Sequence, residues 1–549
     1  MYTLKNNLNY SKKTICIFLC LIVLLSIGLK WLTLDLDTLP QADTFGYALR
    51  GISHVNGDFS ESPRKTLGWS LFLYPFLTIF NHSQFFDLLN SVKMLSFAVS
   101  IISIYPMYLL SRRFFNEKYS LIACFLFSVE PHLNHNAGLG LSEPLFILVT
   151  ILTMYFSLSR NPKFFYVAFL LVGILWWIKF NGIVMLPIIS VIFFLTIKDY
   201  RKHIPKLILG FCIFLIVVSP MLLQRYEQYG DPLYFSQSDT FYTGKQVAIV
   251  AENTKNFSYS AFDYINEYGF VDFSLKFIFS GVFNLLHEIF LLTFPYLIFL
   301  VPIGLFFSIR PIDQDKKLVQ ANWIAILGSI IIFITYFAVV HERRLLFHIL
   351  PFLILFAVIP IQRLIEYGLS TFSFTKNQRI VSLSLILLIV LLLSLSFSFR
   401  YETTDKISNE EQINFSKYVI SNYGGKFLDA GGGLRGINYV NYIEPNGDFR
   451  TYRTSDNLNS STYGNLSLIS LYAESLDDFI SIADEYDLKY IIINNDGDIS
   501  SYYPFLSHIY DNEKDYPYLE KVFDSNTAGY SKLKIKIFKI NYEEFYKND

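Results

Sequence analysis

The sequence predicts a polytopic α-helical membrane protein of about eleven transmembrane helices with a small C-terminal α/β domain. Three observations predict it. Of 549 residues, 52% are hydrophobic and 18% aromatic, with a mean hydropathy of +0.37. The apolar residues fall in repeated runs of about 18–22, long enough to cross a hydrocarbon core of about 30 Å at about 1.5 Å per residue. After residue 399 the character changes, and the remainder is polar, acidic and rich in Asn, Ser and Tyr.

The spans expected lie at about 14–34, 88–110, 119–136, 144–159, 164–180, 182–197, 204–223, 284–308, 320–340, 345–362 and 380–399, with ends good to a few residues. The first run, "KKTICIFLCLIVLLSIGL", continues through Leu34 without a small-residue cleavage site, so it reads as a retained span. With the N-terminus in the cytoplasm, the inner segments carry Lys5, Lys12 and Lys13, then Arg112-Arg113, Arg160 with Lys163, and Lys198 with Arg201 and Lys202. Arg310 with Lys316 and Lys317, and Arg363 with Lys376 and Arg379, complete the set. Short basic loops mark the cytoplasmic side, so this orientation places residues 400–549 outside; a plasma membrane is expected, with an organelle membrane left open.

Residues 1–399 form the expected membrane domain, with long outer loops at about 35–87 and 224–283. Within the first loop, "LGWSLFLYPFLTIF" is too short for a span and reads as an interfacial or re-entrant helix. In residues 400–549, "KFLDAG", "LKYIIINND" and "SKLKIKIFKINYEE" read as strands, and "SLDDFISIADEYD" as an amphipathic helix. "FLDAGGGLRG" imitates a nucleotide-approach turn. No persuasive helix follows it, so it reads as an ordinary turn. Asn-x-Ser/Thr sequons at Asn256, Asn414, Asn459 and Asn465 fall on the same outer side.

A net charge of −1 gives no reason to expect nucleic acid as a partner. Cys16, Cys20, Cys124 and Cys212 all sit inside apolar runs and form no metal motif. The ionisable groups gather instead at one face. They are Asp43, His54, Asp58 and Arg64; Glu130, His132, His135 and Glu143; Lys179; Arg225 and Asp231; and His341, Glu342, Arg343 and Arg344. Charges near membrane depth are costly and mark function when several converge.

The motifs carrying these residues resemble one family. "ADTFGYALRG", with Asp43, Tyr47 and the later Gly57, is similar to the first outer loop of the GT-C superfamily of lipid-phosphate-sugar-dependent glycosyltransferases. Members of that superfamily include the protein O-mannosyltransferases and the aminoarabinose transferase of lipid A. "EPHLNHNAGLGLSEPLFILV", "GILWWIKFNGIVMLPII", "RYEQYGDPLYFS" and "HERRLLFHILPFLILFAV" follow in the family's order. Two departures stand out. Many relatives carry an Asp-Glu pair where this chain has Asp43-Thr44, and the WWDYG run of the oligosaccharyltransferases is absent.

The resemblance implies an inverting enzyme that moves a sugar from a polyprenyl- or dolichyl-phosphate donor to an acceptor hydroxyl on a protein, lipid or glycan. Asp43 is then the base, and the competing reading of Asp43 is an N-cap of the following helix. Glu143 orients the acceptor or shares a divalent ion with Asp43. Arg343 and Arg344 suit a phosphate, because guanidinium forks match its oxygens, and Lys179, Arg64 and Arg225 are further substrate-binding candidates. Tyr47 packs the sugar or the loop. No cofactor is required, although a divalent metal is an option, with His132 and His135 as candidate ligands despite a spacing that fits no compact motif. A transporter or flippase of a lipid-linked or small solute is the alternative. A transporter would show internal repeats and polar helices broken at mid-bilayer, which this chain lacks. A scaffold with a partner-binding outer domain leaves the acidic first loop unexplained.

Overall fold

The computed structural model describes residues 11–60, 66–79, 85–159, 161–234, 238–254, 258–400, 406–428, 436–437, 466–495 and 503–548. The chain is a multi-pass membrane protein. Seven helices among the described residues are long and apolar enough to cross a membrane, and five shorter apolar helices of 12–17 residues accompany them.

Helix α1 (Lys12–Thr33) leads into α2 (Ala42–Val55) and α3 (Gly68–Ile79), the two helices of the first long loop. The bundle continues through α4 (Phe85–Ile102), α5 (Ile104–Ser111), α6 (Glu117–Ser128), α7 (Pro131–Ala137), α8 (Glu143–Ser157) and α9 (Phe164–Ile178). Next come α10 (Met185–Thr196), α11 (Ile204–Tyr229), α12 (Ser238–Phe241), α13 (Ala261–Phe273), α14 (Ser280–Thr293) and α15 (Leu297–Ser308). The last are α16 (Lys316–Phe333), α17 (Leu350–Arg363), α18 (Leu369–Thr371) and α19 (Lys376–Ser398).

Helix α17 is the centre of the bundle, with every residue from Leu350 to Gln362 buried. Gly304 of α15 lies against the Phe356 carbonyl, where any side chain would collide, so these two helices approach closely. Helix α19 lies at the periphery and exposes Leu385, Leu388 and Leu392, the pattern of a lipid-facing surface.

The spans expected at 119–136 and 284–308 are broken. The segment expected at 119–136 stops at Ser128 and restarts as α7 behind a Glu130 N-cap, whose carboxylate accepts the Leu133 N–H at 2.7 Å. The segment expected at 284–308 divides between Thr293 and Leu297, around Pro295. Proline lacks the N–H that continues a helix, and it disfavours helical geometry in the residue before it.

Beyond the bundle, α20 (Lys406–Asn422) precedes a five-stranded sheet of β1 (Gly425–Leu428), β2 (Leu466–Ile469), β3 (Leu488–Asn494), β4 (Leu519–Asp524) and β5 (Ile535–Ile540). The order is β2-β1-β3-β5-β4; β1 pairs in parallel with β2 and β3, while β5 is antiparallel to β3 and β4. Alternate residues of β3 enter different cores. Ile492 packs with Phe415 and Val419 of α20, whereas Ile491 and Ile493 pack with Phe479 and Ile480 of the helix Leu476–Glu485. A strand covered on both faces needs a continuous apolar run, which is why "YIII" carries no polar alternation. The strands β2 and β4 and the helix α20 are not anticipated by the sequence reading. Of the "FLDAGGGLRG" turn, residues 429–435 lie outside the described residues, as do the sequons at Asn256, Asn459 and Asn465.

Among the described residues, hydrogen bonds join the domain to the rest of the chain near Leu39 and near Asn253. The Asn409 side chain of α20 accepts the Leu39 N–H at 3.1 Å and donates to the Asp37 carbonyl at 3.4 Å. Asn253 both donates to and accepts from the Tyr472 backbone, each at 2.8 Å.

Candidate active site

The first loop is held against the bundle by small residues. Gly68, which opens α3, lies against the backbone of Trp177 and Ile178, and a Cβ there would collide with it. Thr66 donates to the Ile178 carbonyl at 2.7 Å. Helix α9 ends at Ile178, and Lys179 follows in an extended conformation. Gly182 then packs against the Leu175 backbone, where a Cβ would also collide. The close turn fixes where Lys179 leaves the helix.

Helix α2 is amphipathic, and Gly57, with φ +87°, follows its C-cap in the left-handed region that favours glycine. Its N-cap is Gln41, so Asp43 sits inside the first turn and does not cap the helix. The Asp43 carboxylate instead meets Arg344, with Oδ2 2.6 Å from Nη1. Next to it, Thr44 is fully buried and donates to the Leu139 carbonyl at 2.7 Å. Its methyl group lies beside Gly140, a position with φ +75°. This is the place where the family pattern puts a second acid, and here it is filled by packing.

Carboxylates reach the same guanidinium from elsewhere in the chain. Arg344 Nε lies 2.8 Å from Glu342 Oε2 and 3.9 Å from Glu143 Oε1. Glu143 opens α8 directly before Pro144, an order suited to a first helical turn, where acids complement the dipole and proline needs no hydrogen bond. Its side chain is buried, and Lys179 Nζ donates to Oε1 at 2.7 Å. Oε2 of Glu143 is buried and has no hydrogen-bond partner among the described residues. Half-buried Tyr47 lies 3.3 Å from Ser142 through its hydroxyl. Burial, with Asp43 and Glu143 nearby, pushes its phenol well above the usual range, so it stays protonated.

A cavity of about 440 Å³ opens beside this network, lined among others by Tyr47, Lys179, Phe180, Tyr242, Phe333 and Tyr336. Its walls are largely aromatic and aliphatic with few polar groups, the make-up of a small-molecule site. Arg225 is buried next to it, with its guanidinium 5.6 Å from the centre of the Phe180 ring.

The remaining candidates lie apart. Arg343 turns to Glu288 of α14 at 2.9 Å and does not join the Arg344 cluster. His132 is buried against Glu130 at 2.9 Å, under the rings of Phe347 and Phe397. Burial, with His132 close by, pushes His135 down to about 4. The described residues contain no group of three or more His, Cys, Asp or Glu able to hold a metal ion, so His132 and His135 gain no third ligand. Arg64 lies outside the described residues. His54 has both ring nitrogens engaged, by the Asp58 carbonyl and the Ser70 hydroxyl, and is structural. Sequence reasoning gave no role to Glu342 or Glu288. The mixed-sign run "HERR" was the only signal for the first, and nothing local pointed to the second.

The comparisons with known proteins agree with this architecture. Residues 66–223 match the family model of dolichyl-phosphate-mannose-protein mannosyltransferases. The oligosaccharyltransferase of Archaeoglobus fulgidus, tethered to an acceptor peptide, superposes with a TM-score of 0.56 at 12% identity, over 94% of this chain and 73% of that one. ArnT from Cupriavidus metallidurans, bound to undecaprenyl phosphate, superposes with a TM-score of 0.54 at 11% identity, over 95% of this chain and 97% of that one. The likeness is one of fold, shared with both of these membrane proteins over nearly the whole of this chain. No curated protein matches the chain in sequence.

Proposed function

We propose that the chain is an inverting glycosyltransferase that moves a sugar from a polyprenyl- or dolichyl-phosphate donor to an acceptor hydroxyl. The observation that carries this reading is the sharing of Arg344 between Asp43 and Glu143, with Lys179 on Glu143 and on the cavity wall. The family match over residues 66–223 and the near-complete coverage of ArnT support the donor class. ArnT of Cupriavidus metallidurans is bound to undecaprenyl phosphate, and the largely apolar cavity with Lys179 on its wall suits a donor of that kind.

In the proposed reaction the acceptor oxygen attacks the anomeric carbon from the face opposite the phosphate. The acceptor proton passes to Asp43 as the new C–O bond forms. The bond between the anomeric carbon and the phosphate oxygen breaks, and its electron pair leaves with the lipid phosphate. Arg344, Lys179 and Arg225 offset the charge that develops there. Arg344 begins on Asp43, so donor binding draws the guanidinium to phosphate and frees the carboxylate for the acceptor. Glu143 holds Lys179 in place. Arg343, engaged with Glu288, acts from outside this centre.

The short basic loops support a cytoplasmic N-terminus and an extracytoplasmic C-terminal domain, and a plasma-membrane location is part of the same proposal. That orientation puts Asp43 at the height of an outer-leaflet phosphate, with water available for the acceptor.

Purified protein incubated with labelled polyprenyl-phosphate hexoses tests the reading. The expected result is label in an acceptor and free lipid phosphate. Label carried across a proteoliposome membrane with the sugar–phosphate bond intact would instead assign a flippase.

A further inference from the structure

The C-terminal domain holds a second cavity, of about 530 Å³, between the end of α20 and the β4–β5 hairpin. This lies within the range of about 300–1,000 Å³ typical of small-molecule sites. One wall is aromatic: the Tyr418 and Phe523 rings are 5.2 Å apart, and those of Phe523 and Tyr530 6.2 Å. The rest mixes polar Lys521, Asp524 and Thr527 with apolar Val522 and Ala528.

Charge and geometry narrow the ligand. Lys521 Nζ is matched by Glu513 at 2.9 Å and Asp524 at 3.4 Å, so the rim places no demand for a charged partner. Asp524 Oδ1 also accepts the Asn526 N–H at 3.0 Å, and the Thr527 hydroxyl donates to the Asp524 carbonyl at 2.9 Å, leaving its oxygen to accept. A neutral ligand with one apolar face and hydroxyls around its edge fits such a site, and a pyranose ring has that form. The C–H face lies on the rings, and the hydroxyls meet the rim. An extended peptide would have to add to β4, which is an edge strand of the sheet. Its register shifts between Lys521 and Phe523, which interrupts the ladder a peptide would extend.

Location supplies the role. Asn409 ties the start of α20 to Asp37 and Leu39, just ahead of Asp43, and Tyr418 lies nine residues further along the helix. That separation is roughly 14 Å at about 1.5 Å per residue. We propose that the Tyr418–Phe523–Tyr530 cavity is a neutral-glycan subsite that holds a hexose ring of the acceptor, a role that rests on the glycosyltransferase reading above.

The full-length protein in detergent, with mannotriose, cellotriose and chitotriose as probes read by saturation-transfer NMR, tests it. The expected result is that at least one trisaccharide binds, and that Thr527→Arg, which fills the cavity, weakens it at least tenfold with the thermal transition unchanged. If that variant does not fold, Lys521→Ala on the exposed rim is expected to weaken binding in the same direction. No binding to any trisaccharide, equal binding by a folded cavity-filling variant, or binding of a Ser/Thr-rich peptide in place of the sugars would overturn the proposal. Binding does not depend on transfer. Glycan binding without transfer in any donor assay would therefore defeat the catalytic reading and leave the subsite standing, and the reverse pattern would defeat the subsite alone.

Discussion

A guanidinium shared among three carboxylates is held more loosely by each than one committed to a single fork. Asp43, Glu143 and Glu342 bring three negative charges to Arg344, and Lys179 adds a cation on Glu143. An arriving phosphate must therefore compete for Arg344, and Glu342 keeps the Nε edge of the guanidinium in place while the Nη edge changes partner. Glu342→Gln is predicted to lower kcat by roughly ten- to a hundredfold, the worth of one charged hydrogen bond of about 1.5–3 kcal/mol. The donor KM should not rise, because a competing anion has been removed, and steady-state kinetics with varied donor separate the two effects. Thr44 gives a second test. An acid at this fully buried position would lose the bond to Leu139 and add a buried charge next to Asp43. Thr44→Asp should cost about 3 kcal/mol or more, measured as a fall in the thermal unfolding temperature. From the sequence, Thr44 reads only as a missing acid. Its packing under Gly140, and the arrival of Glu143 and Glu342 from about 100 and 300 residues away, are tertiary facts that no local pattern encodes.

At the scale of elements, the site depends on how closely α3 and the α9–α10 turn approach. Gly182→Ala places a methyl group on the Leu175 backbone, an overpacking that costs about 1–3 kcal/mol. It should also shift Lys179, so the expected outcome is a raised donor KM together with reduced thermal stability. In the C-terminal domain, Glu411 of α20 accepts hydrogen bonds from the Ser531, Lys532 and Leu533 amides and the Ser531 hydroxyl. Burial raises this carboxyl, but the four hydrogen bonds outweigh it and hold it at about 2, against an ordinary 4.5. A folded-state value below the unfolded one stabilises at pH above about 4.5, and that contribution is lost as pH falls from about 4.5 to about 2. Urea titrations of the wild type and Glu411→Gln should therefore converge through that window. Long apolar helices such as α1, α11 and α19 were legible because hydropathy sums over twenty residues. The break at Pro295 was not anticipated, although the proline stands inside the span expected at 284–308. The four-residue strand β2 was not either, because so short a run carries no decisive periodicity.

For the whole molecule, a long apolar bundle with one charged face and an appended α/β domain was readable from composition and order alone. The meeting of α2, α8, α9 and the segment before α17 at one point was not. Contacts across 300 residues come from helix packing, which the spacing of apolar residues only bounds. Residues proposed for donor, base and acceptor lie at the end of the bundle that faces the C-terminal domain, with the Asn253–Tyr472 amide pair joining the two parts. Asn253→Ala should loosen that junction, read as faster amide exchange over residues 466–472, while the sheet beyond it stays protected. The central claim, that Asp43 is the base of a lipid-phosphate glycosyl transfer, meets its most direct test in a single-turnover assay. A labelled polyprenyl-phosphate sugar is given to the wild type and to Asp43→Asn, with donor binding measured separately. The account predicts that the variant binds donor and transfers its sugar about 10²–10⁴-fold more slowly. Transfer by Asp43→Asn at the wild-type rate would contradict it.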